Sequence, residues 1–136
     1  MARGAELLIF LDVDCLPDEG LVTAYREATQ DPATAASLLC GPVAYLPPPG
    51  AEGYDLQRLA EFTPHPGRPA PAPGEQQTDG DPRLFWSLSF AVTATTWRRI
   101  GGFDEEFVGY GDISTIRSPS PSAAAPRCTP HWWPTS

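Results

Sequence analysis

The sequence predicts an α/β domain, and three patterns in the first hundred residues indicate this class. A continuous apolar run, Leu7–Leu11, is typical of a strand that is buried on both faces of a parallel sheet with helices on each side. Residues 18–29 have the spacing of a short amphipathic helix. Two further apolar segments, residues 38–46 and 84–93, predict additional strands.

The first helix is predicted from its apolar spacing and from its acidic start. Leu21, Val22 and Tyr25 are expected on one face, which would pack on the sheet. Asp18 and Glu19 would lie in the first turn, where the helix dipole favours acidic side chains. The segment therefore predicts a short helix that follows the first strand.

A break in the second strand and a long irregular segment follow. The Gly41-Pro42 step predicts an interruption within residues 38–46. Residues 47–81 are rich in Pro, Gly and polar side chains, with a short helix predicted at residues 54–62. Long loops inside a compact domain are uncommon unless they cover a binding site. This Pro-rich loop is therefore either an interdomain linker or a functional loop.

The last predicted elements are a strand and a short helix. Residues 84–93 resume the strand pattern, and residues 95–100 predict one or two helical turns. Two glycines, Gly101 and Gly102, predict the helix stop. Beyond residue 111 the periodicity ends in a segment rich in Ser, Pro and Ala. We expect one domain in residues 1–111 and a disordered tail in residues 112–136.

The composition limits the partners and the location of the protein. A length of 136 residues with 41% hydrophobic residues fits one folded domain or part of one. A net charge of -8, with nine Lys and Arg spread along the chain, argues against nucleic acid as a partner. Three cysteines without a CxxC spacing fit free thiols in a reducing compartment. No apolar run predicts a transmembrane helix or a signal peptide, so we expect a cytoplasmic protein, with peripheral association at the inner face of a membrane left open.

Asp12 and Asp14 are the first candidates for chemistry. They follow the apolar strand one residue apart, and both can reach a hard divalent cation if the backbone bends at the strand end. Mg²⁺ or Mn²⁺ bridged to a diphosphate needs such oxygen ligands. On the local pattern alone, a solvated cap at the end of the strand explains the pair equally well.

The second candidate is an aromatic strand that leads into a turn rich in Gly and acids. Residues 85–92 read FWSLSFAV, and residues 101–105 read GGFDE. Aromatic rings beside carboxylates are a common way to hold a sugar ring by stacking and by hydroxyl hydrogen bonds. The alternative is a core strand with buried aromatic side chains, which on local pattern alone is the more frequent explanation.

Taken together, FLDVDCLP at residues 10–17 and SLSFAVTATTWRRIGGFDEEFVGYG at residues 87–111 resemble family 2 glycosyltransferases of the GT-A fold. The resemblance is to those with a galactosyltransferase-type carboxyl-terminal region, and it covers about residues 5 to 111. It implies a partial GT-A, Rossmann-like nucleotide-diphospho-sugar transferase fold with an incomplete sheet. The activity implied is inverting transfer of a galactose-like hexose from a nucleotide-diphosphate sugar, with a UDP-sugar favoured, to a hydroxyl of a glycan or small-molecule acceptor.

The resemblance also implies roles for individual residues. Asp12 and Asp14 would bind the metal, Mn²⁺ or Mg²⁺, and the donor diphosphate. The segment that matches residues 86–89 and the turn after the short helix would line the acceptor side. The acceptor-side residues are Trp86, Gly101, Gly102, Phe103, Asp104 and Glu105.

Two departures from the family pattern predict that this chain transfers little or no sugar. The family usually begins with further strands and helices that hold the base and ribose, and here only a few residues precede the first strand. The family motif Gly-Tyr-Gly-x-Glu-Asp supplies a general base. In this chain Ile113 and Ser114 occupy the positions of the Glu-Asp pair. Loss of that proton transfer lowers the reaction rate by about 10²- to 10⁴-fold. The catalytic base is unassigned, and Asp112 would substitute only if its loop shifted.

The abrupt change of composition at Asp112 leads to the hypothesis that the tail is translated out of frame. Two alternatives to an enzyme remain open. One is a non-catalytic carbohydrate- or partner-binding remnant that retains the acceptor surface. The other is a truncated pseudoenzyme that folds poorly.

Overall fold

The computed structural model describes residues 4–55, 62–66, 71–72, 75–77, 85, 88–103 and 128–130. Two helices and six strands are described in this part of the chain. In chain order they are β1 (Leu7–Leu11), α1 (Leu21–Gln30), β2 (Leu38–Cys40), β3 (Ala44–Tyr45), β4 (Thr63–Pro64), β5 (Ser89–Thr93), α2 (Ala94–Ile100) and β6 (Cys128–Pro130).

Four strands form the central sheet in the order β1-β5-β2-β6. β5 lies between β1 and β2 and is antiparallel to both, while β2 and β6 are parallel. The parallel pairing that the apolar run of β1 predicts is therefore wrong for the contact between β1 and β5. A strand that is apolar on both faces suits an antiparallel pair equally well when helices cover both faces of the sheet.

The two helices pack on opposite faces of the sheet. On one face, α1 packs against β1, β5 and β2. On the other face, α2 packs over the same three strands. Side chains alternate along each strand, so that Leu8 and Phe10 face α2 while Leu7 and Ile9 face α1. The predicted α/β class is confirmed as a small domain with helices on both sides of a mostly antiparallel sheet.

Helix α1 begins later than its sequence pattern predicts. Asp18 and Glu19 precede the helix rather than forming its first turn, and Gly20 is the N-cap. The Asp18 carboxylate accepts a hydrogen bond from the Gly20 N–H at 2.7 Å, and its carbonyl accepts from the Leu21 N–H at 3.2 Å. Short acidic side chains commonly bond the nearby backbone in this way and so favour a position before a helix.

The buried face of α1 also differs from the predicted one. Leu21 and Tyr25 are buried as expected, but Val22 is 54% exposed. The buried positions follow the helical spacing i, i+3, i+4 and i+7. They are Leu21, Ala24, Tyr25 and Ala28.

The Gly41-Pro42 break is confirmed, because the predicted strand 38–46 divides into β2 and β3, which lie in different sheets. β3 pairs antiparallel with β4, which belongs to the Pro-rich segment 47–81. Most of the short helix predicted at residues 54–62 lies outside the described residues.

The second strand-helix unit is largely as predicted. β5 begins at Ser89, within the predicted strand 84–93. The Thr93 hydroxyl caps α2 by accepting from the Thr96 N–H at 3.2 Å. Gly101 ends the helix in the left-handed conformation at φ 85°, and its N–H donates to the Trp97 carbonyl. The helix stop predicted at the two glycines is confirmed.

Residues 128–130 form β6, although they belong to the segment 112–136 for which we expect disorder. The other residues of that segment lie outside the described part of the chain. None of the helices described in the structure is long and apolar enough to cross a membrane.

Candidate metal and acceptor site

The Asp12-Val13-Asp14 segment forms a tight turn at the carboxyl end of β1. The Asp12 N–H donates to the Leu88 carbonyl at 3.0 Å, so the pairing with the chain before β5 continues one residue beyond the strand. The Cys15 N–H then donates to the Asp12 carbonyl at 3.1 Å and closes the turn. Val13 is 99% exposed in this turn. The backbone bend that two metal-binding carboxylates would need is therefore present.

The two carboxylates occupy different environments. Asp12 is half-buried, and its Oδ1 atom accepts a hydrogen bond from the Val13 N–H at 2.9 Å. Asp14 is exposed, and its Oδ1 atom lies 4.0 Å from the Cys15 Sγ atom. An ionised carboxylate has about four acceptor positions, so both groups retain capacity for a cation. Mg²⁺ is commonly held by one or two carboxylates together with phosphate oxygens and water.

Further acids surround this turn in the sequence. Residues 12–25 contain Asp12, Asp14, Asp18 and Glu19 and no basic residue. Such a segment attracts cations and repels a diphosphate unless a cation neutralises the charge first. Within the described residues, no group of three or more His, Cys, Asp or Glu side chains is placed to hold a metal ion.

An aromatic cluster lies on the α2 face next to this turn. The Phe10 and Phe90 rings stack with centroids 4.4 Å apart, and the Trp97 ring lies 4.9 Å from that of Phe10. The Phe103 ring meets the rings of Phe10 and Trp97 edge-on, at 5.7 and 5.2 Å. Asp12 comes two residues after Phe10, about 7 Å along the chain, so the aromatic cluster lies beside the end of β1 that leads into the turn.

The glycine turn after α2 reaches the same cluster. Gly101 and Gly102 both have positive φ angles, 85° and 83°, which favour glycine. Gly102 is buried, and a Cβ atom at this position would meet the Trp97 indole at 3.5 Å. The turn places the Phe103 ring against that of Phe10. Of the predicted acceptor residues, Gly101, Gly102 and Phe103 therefore lie at the end of the sheet that carries Asp12.

The other predicted site residues are not placed. Trp86, Asp104, Glu105 and Asp112 lie outside the described residues. For three aromatic side chains within residues 85–97 the core interpretation is confirmed, since they are at most 8% exposed; they are Phe85, Phe90 and Trp97. Phe103 differs from them because it is 39% exposed.

A buried hydrogen-bond network at this end of the sheet was not predicted. Ser89 belongs to the segment 86–89 that we expected on the acceptor side, but it is buried and faces α1. Its Oγ atom lies 2.8 Å from the Tyr25 hydroxyl oxygen, which also accepts from the Gly41 N–H at 2.9 Å. The signal in the sequence was a serine within an apolar strand and a tyrosine on the predicted buried face of the helix. A buried tyrosine generally needs a partner for its hydroxyl group.

No protein-family model, no curated protein and no solved structure matches this chain. Its function is therefore inferred from its own residues and from the geometry of the turn that carries Asp12 and Asp14.

Proposed function

We propose that this chain is the metal- and acceptor-binding part of a glycosyltransferase of GT-A type, similar to family 2 enzymes. In this proposal Asp12 and Asp14 bind Mn²⁺ or Mg²⁺ together with the diphosphate of a UDP-sugar. Gly101 and Phe103 form part of the surface on which a glycan or small-molecule acceptor rests, and the buried Gly102 supports the turn between them. The reaction of such enzymes is inverting transfer of a galactose-like hexose to an acceptor hydroxyl.

The observation that supports this proposal most directly is the common position of two turns. The tight turn with two carboxylates ends β1, and the glycine turn after α2 packs the Phe103 ring against Phe10. Phe10 is two residues before Asp12, so the carboxylates and the partly exposed ring share one end of the sheet. A cation site beside an aromatic surface suits a sugar nucleotide and a sugar acceptor.

Within this site the chain's own residues bind and orient rather than transfer a proton. The carboxylates of Asp12 and Asp14 hold the cation, whose charge offsets the charge that develops on a leaving diphosphate. The exposed part of the Phe103 ring offers an apolar surface for one face of a sugar. With Ile113 and Ser114 in place of the acidic pair, we propose that transfer by this chain is negligible.

The first experiment measures binding of UDP to the purified chain by isothermal titration calorimetry, with and without Mn²⁺. The expected result is UDP binding that requires Mn²⁺ and is lost in the variant Asp12→Asn/Asp14→Asn. The matched control, Asp18→Asn/Glu19→Gln, removes two nearby negative charges outside the turn and is expected to bind normally. Unchanged binding in the first variant, or equal loss in both, would refute the metal site.

A second experiment tests the absence of transfer. The chain is incubated with a UDP-hexose, Mn²⁺ and a panel of sugar acceptors, and release of UDP is compared with that of Asp12→Ala/Asp14→Ala. Equal, near-background release by both proteins is expected. Transfer above the level of the double variant would show that the chain is an active enzyme.

The partly exposed ring of Phe103 favours a second candidate function, a carbohydrate-binding remnant without nucleotide binding. The ring lies at the surface of the aromatic cluster, where stacking on a sugar needs no cation. Binding of a glycan by the chain in the presence of a metal chelator, lost in Phe103→Ala and kept in Asp12→Asn/Asp14→Asn, would favour this candidate over the transferase.

A further inference from the structure

The pairing of β1 with β5 fixes the direction of the backbone groups along β1. The Asp12 N–H donates to the Leu88 carbonyl, and the Glu6 carbonyl accepts from the Ala94 N–H. Even-numbered residues of β1 therefore direct their N–H and C=O groups toward β5. In an antiparallel strand successive residues alternate in this direction. The residues whose backbone groups point away from β5 are Leu7, Ile9 and Leu11.

Within the described residues, the outer edge of β1 lacks several features that usually protect an edge strand. In the described part of the chain β1 is an edge strand of the central sheet. It pairs with β5 on one side, and no described strand pairs with its opposite side. Natural edge strands carry Pro, Lys, inward-pointing charges or bulges. The sequence LLIFL contains none of these, and its pairing with β5 is regular through all five residues. Such an edge is a template for another strand.

A groove runs beside this edge on the α1 face. It has a volume of about 580 Å³ and lies between β1 and α1. Leu7 and Ile9 line it from the strand, and Val22 and Arg26 line it from the helix. Val22 is 54% exposed in the structure. Side chains of an added strand that point to the α1 face would enter this groove and cover Val22.

Acidic residues at both ends of β1 favour an added strand with basic residues at its two ends. Glu6 and Asp12 precede and follow the five apolar residues. In an antiparallel partner whose central residue lies opposite Ile9, the residues three positions before and after the centre lie opposite these acids. Opposite charges in such cross-strand positions stabilise the pair, and like charges destabilise it. A second copy of β1 in this register would place Glu6 against Asp12 twice, so a basic partner is favoured over self-pairing.

We propose that the outer edge of β1 binds an extended segment of another polypeptide by antiparallel strand addition. The segment has seven residues, with basic side chains at its first and seventh positions and apolar or β-branched side chains between them. Its second, fourth and sixth residues exchange backbone hydrogen bonds with the outward-pointing groups of β1. The side chains of the fourth and sixth residues, opposite Ile9 and Leu7, enter the groove. This inference does not depend on the proposed glycosyltransferase function.

The test uses the purified chain and the peptide acetyl-Lys-Val-Thr-Val-Thr-Val-Lys-amide, labelled for fluorescence anisotropy. N-methylation of its third and fifth residues blocks the edge that would face away from β1, which limits association of the peptide with itself to a dimer through the other edge. A control peptide of the same sequence is methylated at the second, fourth and sixth residues instead. A chelator is present, so that no cation competes with lysine at Asp12.

The first peptide is expected to bind at least about a hundredfold more tightly than the control, because the control loses three hydrogen-bond donors that face β1. A third peptide, with Glu in place of both Lys residues and the first methylation pattern, is expected to bind about tenfold more weakly than the first. Equal binding of the first peptide and the control peptide, or no binding of the first, would overturn the proposal.

Two substitutions in β1 provide the matched test in the chain itself. Leu11→Pro removes one outward-pointing N–H without removing a bond to β5, since proline is tolerated on the free side of an edge strand. Leu11→Ala shortens the same side chain and keeps that N–H. We expect Leu11→Pro to weaken peptide binding about fivefold more than Leu11→Ala does. Equal weakening would contradict strand addition, and circular dichroism checks that both variants fold.

Sedimentation of the chain alone tests the rival occupant. We expect a species that does not self-associate through this edge. A dimer that Leu11→Pro dissociates and Leu11→Ala preserves would show that a second copy occupies the edge, and it would overturn the proposal of a basic partner.

Discussion

The two faces of the central sheet are stabilised by different interactions. On the α2 face, aromatic rings dominate, with Phe10 and Phe90 stacked and Trp97 tilted against Phe10. On the α1 face, the helix contributes Leu21, two alanines and Tyr25, a completely buried side chain that carries a hydroxyl group. Ring packing gains from contact area and shape, whereas a buried hydroxyl contributes only while its hydrogen bonds are made.

The ring packing on the α2 face and the hydroxyl network on the α1 face both act on the same end of β5. The Leu88 carbonyl accepts from the Asp12 N–H on one side, and the Ser89 carbonyl accepts from the Gly41 N–H on the other. The aromatic cluster positions the glycine turn near Asp12, while the Tyr25 hydroxyl connects α1 to β5 and to the residue after β2. The packing interactions therefore support the candidate site directly, and the polar network supports the strands on which it is built.

The largest effect is expected from removing the central ring of the α2 face. Phe90 is completely buried and contacts the rings of Phe10, Phe85 and Phe103. We expect Phe90→Ala to lower the free energy of unfolding by about 3–5 kcal/mol, measured by chemical denaturation. The control Phe103→Ala removes a partly exposed ring and is expected to cost roughly half as much or less. Equal losses in the two variants would mean that the cluster is not centred on Phe90.

A smaller effect is expected on the α1 face from removing a single oxygen atom. Tyr25→Phe keeps the ring and removes the hydroxyl that accepts from Gly41 and bonds Ser89. We expect a loss of about 1–3 kcal/mol in the free energy of unfolding. The double variant Tyr25→Phe/Ser89→Ala should lose less than the sum of the single variants, because both act on one hydrogen bond. Additive losses would show that the hydroxyl groups do not interact.

The sequence predicted two boundaries that depend on glycine and proline. The glycine stop after α2 and the break at Gly41-Pro42 were both confirmed, because a left-handed glycine and a strand-breaking proline act within a few residues. The predicted start of α1 was wrong because the Asp18 carboxylate accepts a hydrogen bond from the Gly20 N–H and Asp18 stays outside the helix. The strand beside β1 was predicted to be parallel and is antiparallel. An apolar run indicates burial and not the direction of the neighbouring strand.

The candidate site was predictable to the extent that it lies on strand and helix ends. Asp12 and Asp14 were selected because carboxylates that follow a buried strand stand out in the sequence, and the structure places them in the turn that ends β1. The role of Ser89 was missed because the contact with Tyr25 spans 64 positions and depends on how α1 packs. Periodicity identifies the face of a helix but not which hydroxyl on it will meet a partner across the sheet.

The smallest effect, and the one nearest the candidate site, is expected from Gly102→Ala. The space is sufficient, since a Cβ atom would meet the Trp97 indole at an ordinary contact distance of 3.5 Å. The cost arises from the φ angle of 83°, which an L side chain adopts at roughly 1–2 kcal/mol. The control Gly50→Ala, where nothing lies within 4 Å and φ is not positive, should change stability by less than about 0.5 kcal/mol. Chemical denaturation measures both variants. A loss in Gly102→Ala no larger than in the control would mean that the turn can relax without the left-handed conformation, and the aromatic cluster would then not fix the position of Phe103 beside Asp12.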